Sequence, residues 1–231
     1  MPAKTLKQNA VAAKLKLQLK QQRTDDDSDI YLRLHRAISW IKASEENEAQ
    51  EDIRFISLWI AFNACYAVDN FNELSDKTTL SEKNNITAFI NKLIACDETK
   101  RLYHLIWNRF SSEIRVLLNN EYLFEAFWAH HRGKLVNYRA ELDRSVREAN
   151  LALSKEDVAT VVEILLRRLY VLRNQIFHGG ATYKGKVNRQ QVKTAGNFLY
   201  LFVTAVVELM MANKHMDWGT AYYPVINQPA S

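Results

Sequence analysis

Apolar positions recur along this chain at intervals of three and four, the spacing of one helix face, in segment after segment. Ile30, Leu34, Ala37, Ile38 and Ile41, with Trp40 beside them, predict a helix over 29–45. Residues 53–68 are apolar almost all round, which marks a helix at the centre of a core. Ile86, Phe89, Ile90, Leu93 and Ile94 predict a helix over 81–96, and Leu102, Leu105, Ile106, Phe110, Ile114 and Leu117 another over 98–118. Asn119-Asn120 breaks the pattern, and 121–150 reads as one aromatic-rich helix with a charged second half. Val158, Val161, Val162, Leu165, Leu166, Leu169, Leu172 and Ile176 form the broad apolar face of a helix over 154–178. Ser154 is its expected N-cap, with Asp157 in the capping-box position. A last helix over 188–214 is intensely apolar from Phe198 to Met211. No segment reads convincingly as a strand, and no internal repeat is visible. The expectation is an all-α, single-domain bundle of about seven or eight helices over 26–215. The segments at 53–68, 154–178 and 190–212 should form its core.

The flanks read differently. Residues 1–25 form a basic helix or arm, with Leu6, Val11, Leu15, Leu17 and Leu19 as an imperfect stripe among lysines. Packing on the domain, contact with nucleic acid and fraying are all open to it. The acidic cluster at 25–29 breaks that helix and caps the next. Residues 69–80 are polar and loop-like. The tail over 216–231 carries Trp218, Tyr222, Tyr223, Pro224 and Pro229, and should lie over the surface, held by its aromatics.

Composition supports the helical reading: six glycines and three prolines are too few for a many-turned β architecture. Cys65 and Cys96 sit in apolar patterns without metal-like neighbours, so they read as buried free thiols in an intracellular, cytoplasmic protein. His130-His131 offers no better metal site, because adjacent helical residues point about 100° apart. No uncharged apolar run reaches about 18 residues, so no ordinary membrane span is expected, and the N-terminus lacks a signal-peptide core.

The net charge is +5, but its placement is uneven. Residues 1–23 carry lysines and an arginine with no acid, and so do residues 164–207, which include Arg167, Arg168, Arg173, Lys184, Lys186, Arg189 and Lys193. The second block encloses Arg173-Asn174-Gln175-Ile176-Phe177-His178-Gly179-Gly180. That stretch places a permanent cation, an amide and an imidazole at the end of an apolar helix, then stops the helix with glycines. A cationic surround suits a polyanionic ligand. On an ideal helix Asn174 and His178 lie about 40° apart, whereas Arg173 and His178 lie about 140° apart. One chain therefore aligns Arg173 and His178 poorly. A second copy across a two-fold axis would bring two of each around one cleft.

RNA cleavage by its own 2′-hydroxyl needs only such parts. A base takes the 2′-proton, an acid protonates the 5′-oxygen, and a cation stabilises the phosphorane. Imidazole serves either proton role near neutrality, and guanidinium is the planar phosphate partner. Asn174 can orient the phosphate or the histidine. Tyr183, Lys184, Lys186 and Arg189 follow the glycines and can hold neighbouring phosphates or stack on a base. No metal or other cofactor is required. Asn63, an amide within the apolar 53–68 helix, either closes a structural hydrogen-bond network or reaches the site. The plain alternative is a well-capped helix end whose histidine complements the helix dipole.

The stretch Arg173 to His178 resembles the motif of the HEPN superfamily, an arginine and a histidine separated by four to six residues, often with a polar residue after the arginine. Residues 58–66 also resemble an early core helix of some members. The resemblance spans about 30–212. It implies a helical bundle that dimerises so that both motifs line one cleft. It further implies metal-independent endoribonuclease activity leaving a 2′,3′-cyclic phosphate, as in toxins and phage-defence proteins, some of which have an antitoxin or regulatory protein. It casts Arg173 and His178 as the catalytic pair and Asn174 as the auxiliary, with Asn63 a candidate to face the cleft. Non-catalytic members, which bind RNA or proteins, define the alternative. Toxins paired with a nucleotidyltransferase antitoxin carry a tyrosine two residues after the histidine. Gly180 stands there in this chain, which argues against regulation by nucleotidylation at that position.

Overall fold

Among the described residues ten α-helices and two irregular turns carry the chain, and no strand occurs. The computed structural model describes residues 10–23, 28–67, 78–221 and 223. Lys4, Lys7, Leu6, the acids at 25–27, most of the loop expected over 69–80, Tyr222, Pro224 and Pro229 lie outside them. The helices are α1 (Val11–Gln21), α2 (Ser28–Glu46), α3 (Glu51–Tyr66), α4 (Thr78–Ala95), α5 (Arg101–His104), α6 (Ser111–Leu118), α7 (Glu125–His131), α8 (Arg139–Ser154), α9 (Val158–Phe177) and α10 (Arg189–Ala212).

The architecture is all-α, as the periodicity predicts, but the expected count of seven or eight helices is too low. Two segments divide where local chemistry competes with the helix. Residues 98–118 pass through a π turn at Leu105–Arg109 and break at Phe110 (φ −129°) before α6 begins. Residues 121–150 split into a 3-10 turn at Glu121–Leu123, then α7 and α8. Asn120 Oδ1 accepts from the Tyr122 amide to start the turn. Gly133 (φ +71°) ends α7, and Asn137 Oδ1 accepts from the Arg139 amide to start α8.

The start of α9 also differs from expectation. Ser154 is not its cap: Ser154 closes α8 and its hydroxyl donates to Leu151 O. Glu156 turns left-handed at φ 56°, and Asp157 is the cap, with Oδ1 accepting from the Thr160 amide at 3.1 Å.

The core is built on α2, α3, α9 and α10, with one apolar cluster also drawing residues from α1, α4, α6 and α8. Trp59, Phe55, Phe62, Phe198 and Phe202 are fully buried in it. Phe62 of α3 meets Phe202 of α10 at 5.6 Å between ring centroids. By length and composition α10 could cross a bilayer, but most of that span is buried inside the protein. The described part of the basic N-terminal helix packs on the domain. Ala12, Leu15 and Leu19 of α1 are buried, and the Ala12 amide donates to Glu45 Oε1. Leu17 is exposed, as are Lys14, Lys16 and Lys20.

A buried arginine fastens the tail. Arg33 of α2 donates from Nη1 to the carbonyls of Trp218 and Gly219, and from Nη2 to those of Cys65 (2.7 Å) and Ala67 (3.2 Å). It satisfies carbonyls that the end of α3 leaves open. Burial lowers its pKa and pushes the Cys65 thiol up to about 12, so this thiol is a packing group. A separate small apolar cluster of Phe127, Tyr138 and Leu142 joins α7 to α8.

Candidate functional site

The end of α9 is closed by its own backbone and by two glycines. The His178 amide donates to Asn174 O at 3.0 Å, and the Gly179 amide to Ile176 O at 3.2 Å. Gly179 sits at φ +71°, where a Cβ would meet no atom, so its requirement is conformational. At Gly180 a Cβ would stand 3.1 Å from Gln175 O, so the requirement is space. Gln175 fixes the surroundings: its Nε2 donates to Tyr122 O at 2.7 Å, and its Oε1 accepts from Asn188 Nδ2 at 2.9 Å. The 3-10 turn and the residue before α10 are thereby tied to the end of α9.

Arg173 is half-buried and held along its length. Its guanidinium carbon lies 4.7 Å from the Phe177 ring centroid and 5.6 Å from that of Tyr170. Nη1 donates to Asn174 Oδ1 at 2.8 Å. Asn174 therefore orients the arginine, where helix angles alone place it nearer His178. Nε is buried without a partner, and no carboxylate pairs with this arginine among the described residues. His178 is exposed at the C-cap, and its ring makes no hydrogen bond or ion pair among the described residues. The histidine and the arginine thus lie in the last turns of one helix with no hydrogen bond between them.

The acid-free appearance of residues 164–207 does not survive folding. Arg167 pairs with Glu163. Arg168 is buried. Arg189, read from sequence as a phosphate contact, is paired with Asp52 at 2.9 Å and Glu51 at 3.4 Å, and its Nε donates to Gly185 O at 3.0 Å. Its charge is met from α3, so its place is to close the α9–α10 loop. The Lys184 amide joins that arrangement by donating to Asp52 Oδ2. Tyr183 donates its hydroxyl to Gln50 Oε1 at 2.7 Å while its ring stays exposed, with Lys184 Nζ 5.2 Å from the ring centroid. Lys186 is exposed. The open cations near the motif are therefore Lys184 and Lys186, with Arg173 fixed between aromatic rings and Asn174.

Asn63 is half-buried on α3. One turn earlier, Trp59 packs its ring 6.1 Å from Tyr170, the residue that also underlies Arg173. Asn63 Oδ1 and Trp59 Nε1 are both buried without a hydrogen-bond partner. Asn63 therefore closes no hydrogen-bond network through its carbonyl oxygen among the described residues.

Tyr170, Phe177 and Gln175 are residues that motif reasoning passed over. Phe177 and Tyr170 stand four residues after and three before Arg173, which is the spacing of neighbours on one helix face and was legible in principle. No protein-family model matches the chain, and no curated protein or solved structure matches it.

Proposed function

We propose that this protein is a metal-independent endoribonuclease in which two copies of the motif share one cleft. The observation that carries this reading is the contrast within one helix end. Among the described residues Arg173 is held in place yet has no acid partner, and His178, five residues on, is exposed and makes no hydrogen bond. A structural arginine is ordinarily matched by acceptors, as Arg189 is by Asp52. Arg173 instead keeps donors available to a phosphate.

In the proposed reaction one His178 takes the proton from a 2′-hydroxyl and the 2′-oxygen attacks the adjacent phosphorus. The bond from phosphorus to the 5′-oxygen breaks, and the partner subunit's His178 protonates the leaving oxygen. The products are a 2′,3′-cyclic phosphate and a 5′-hydroxyl. Arg173 neutralises the developing charge at phosphorus, with Asn174 and the aromatic rings setting its orientation. Lys184, Lys186 and Tyr183 line the approach and suit neighbouring phosphates and a base. A role as a toxin or phage-defence effector, held in check by an antitoxin or regulatory protein, is consistent with such an activity and with the HEPN resemblance.

The test is incubation of the purified chain with labelled RNA in EDTA, with end-group analysis of the products. Cyclic-phosphate ends that vanish in His178→Ala, with RNA binding retained, support the proposal. RNA left intact by a dimeric, folded protein across pH sinks it. A second reading, a non-catalytic RNA-binding module, is favoured by the exposed Tyr183 ring beside Lys184 and predicts that binding without cleavage.

A further inference from the structure

We infer that a cleft lined in part by Tyr170 binds a small ligand with an apolar body and a single anionic head, and that Arg168 receives the head. The cleft lies among α4, α7, α8 and α9 and encloses about 580 Å³, within the usual span for small-molecule sites. Leu123, Leu135, Leu166 and Val171 supply apolar wall.

Charge is distributed unevenly with depth. Glu125, Lys134, Glu141 and Arg167 line the cleft as exposed residues, and half-buried Glu163 is paired with Arg167. These five groups, three acids and two bases, leave the mouth with a net charge of −1, so the positive charge that could receive an anion lies deeper. Arg168 is the buried charge, only 3% exposed, and no carboxylate pairs with it among the described residues. A buried cation met only by neutral groups is costly, and an anion brought into the cleft relieves that cost.

The guanidinium is also oriented for such a ligand. Nε donates to Leu118 O at 3.2 Å and Nη2 to Ser145 Oγ at 2.9 Å, which fixes its plane. Phe124 lies over one face, with its ring centroid 4.5 Å from the guanidinium carbon. Nη1 has no hydrogen-bond partner among the described residues. The approach left open is edge-on at Nη1, which suits one carboxylate, sulfonate or phosphate oxygen better than a bidentate clamp. Burial lowers the Arg168 pKa to about 10, still far above neutrality, so the group remains a cation. This site does not depend on the nuclease reading, since it uses neither Arg173 nor His178.

Anilinonaphthalene sulfonate is a suitable probe, because phenylnaphthylamine is its neutral counterpart. Fluorescence titration of the full chain should show one sulfonate dye bound per chain, about tenfold or more tighter than the neutral dye. Arg168→Met should bring the two dyes level. Ala129→Trp fills the cleft and leaves Arg168 in place, so it should remove binding of both, and it serves alone if the arginine variant does not fold. Equal affinities of the two dyes for the native chain, or sulfonate-dye binding untouched by Ala129→Trp, would overturn the proposal.

Discussion

Two helices in this protein end in nearly the same way and are used differently. The ends of α7 and α9 each carry histidine and, within two residues, a glycine at φ +71°. After α7, His130 Nδ1 is 3.0 Å from Leu135 O, and the His131 ring lies 4.3 Å from Phe127, in the small cluster with Tyr138. After α9, His178 projects without a partner and Phe177 supports an arginine. The capping physics is common to both, since a left-handed glycine and a cationic side chain suit any helix C-terminus. The neighbours differ. At α7 the following loop folds back and uses the rings; at α9 Gln175 takes over the anchoring and leaves the rings outside. A histidine at a glycine-closed helix end is therefore not a site by itself. It becomes a candidate when something else does the structural work.

The strongest way to break this comparison is to remove the histidines one end at a time. Under the proposed activity, His178→Ala and Arg173→Ala should each lower RNA cleavage by about a hundredfold or more, with little change in melting temperature. His130→Ala and His131→Ala should do the reverse, leaving cleavage near native and lowering stability by about 1 kcal/mol through the lost contact or hydrogen bond. Parallel cleavage assays and thermal melts decide it. Equal effects of His130→Ala and His178→Ala on cleavage would erase the distinction.

The aromatic partners give the next effect. Phe127 is buried, so Phe127→Ala should cost about 3 kcal/mol in denaturant unfolding. Phe177 is 45% exposed, and Phe177→Ala should cost under about 1 kcal/mol. Its consequence should be functional, a loss of about fivefold in cleavage as Arg173 loses its ring support. A large destabilisation by Phe177→Ala would make that ring a core group and Arg173 merely its cover.

Much of this was legible in the chain, and the limits have one physical cause. Local periodicity specified α2, α3, α9 and α10, the stop at Gly179, and the poor alignment of Arg173 with His178. It could not show that Asp52, from a helix more than a hundred residues earlier, would neutralise Arg189, because a long-range ion pair leaves no periodic trace. It also overran breaks inside its longer segments: the 3-10 turn at Glu121–Leu123, Gly133, and the π turn before Phe110. The N-cap of α9 was displaced by three residues because Ser154 and Asp157 both have capping chemistry, and the left-handed turn at Glu156 chose between them. Nor could periodicity show that Asn174 accepts a hydrogen bond from Arg173, since an angle between Cα positions does not say where a long arginine folds.

The glycines sharpen the comparison on equal terms. A Cβ at Gly133 or at Gly179 meets nothing within 4 Å, so each alanine variant carries only the left-handed backbone cost, about 1–2 kcal/mol. The two stability losses should match. Gly179→Ala alone should alter cleavage, because it moves the residue that turns the chain after His178. Matched losses of cleavage in both variants would mean that activity follows overall stability.

The smallest effect supplies the control for that last outcome, at the other end of α9. Asp157→Ala removes the oxygen that accepts from the Thr160 amide and should cost about 1 kcal/mol. The Thr160 backbone and side-chain hydrogen bonds hold the Asp157 carboxyl below the usual carboxylate range. A folded value below the unfolded one means the stabilisation is present above the unfolded pKa, near about 3.9, and is lost as pH falls through the folded value. The native chain and Asp157→Ala should therefore differ near neutrality and converge in acid, as read by denaturant midpoints against pH. Asp157→Asn keeps a neutral acceptor, so its difference from Asp157→Ala should persist in acid. Near neutral pH, cleavage per folded molecule should be native in Asp157→Ala, because the helix is loosened at its start and the motif lies at its end. A fall comparable to that of Gly179→Ala would show that the α9 terminus responds to any weakening of its helix, and the contrast with α7 would then be one of stability.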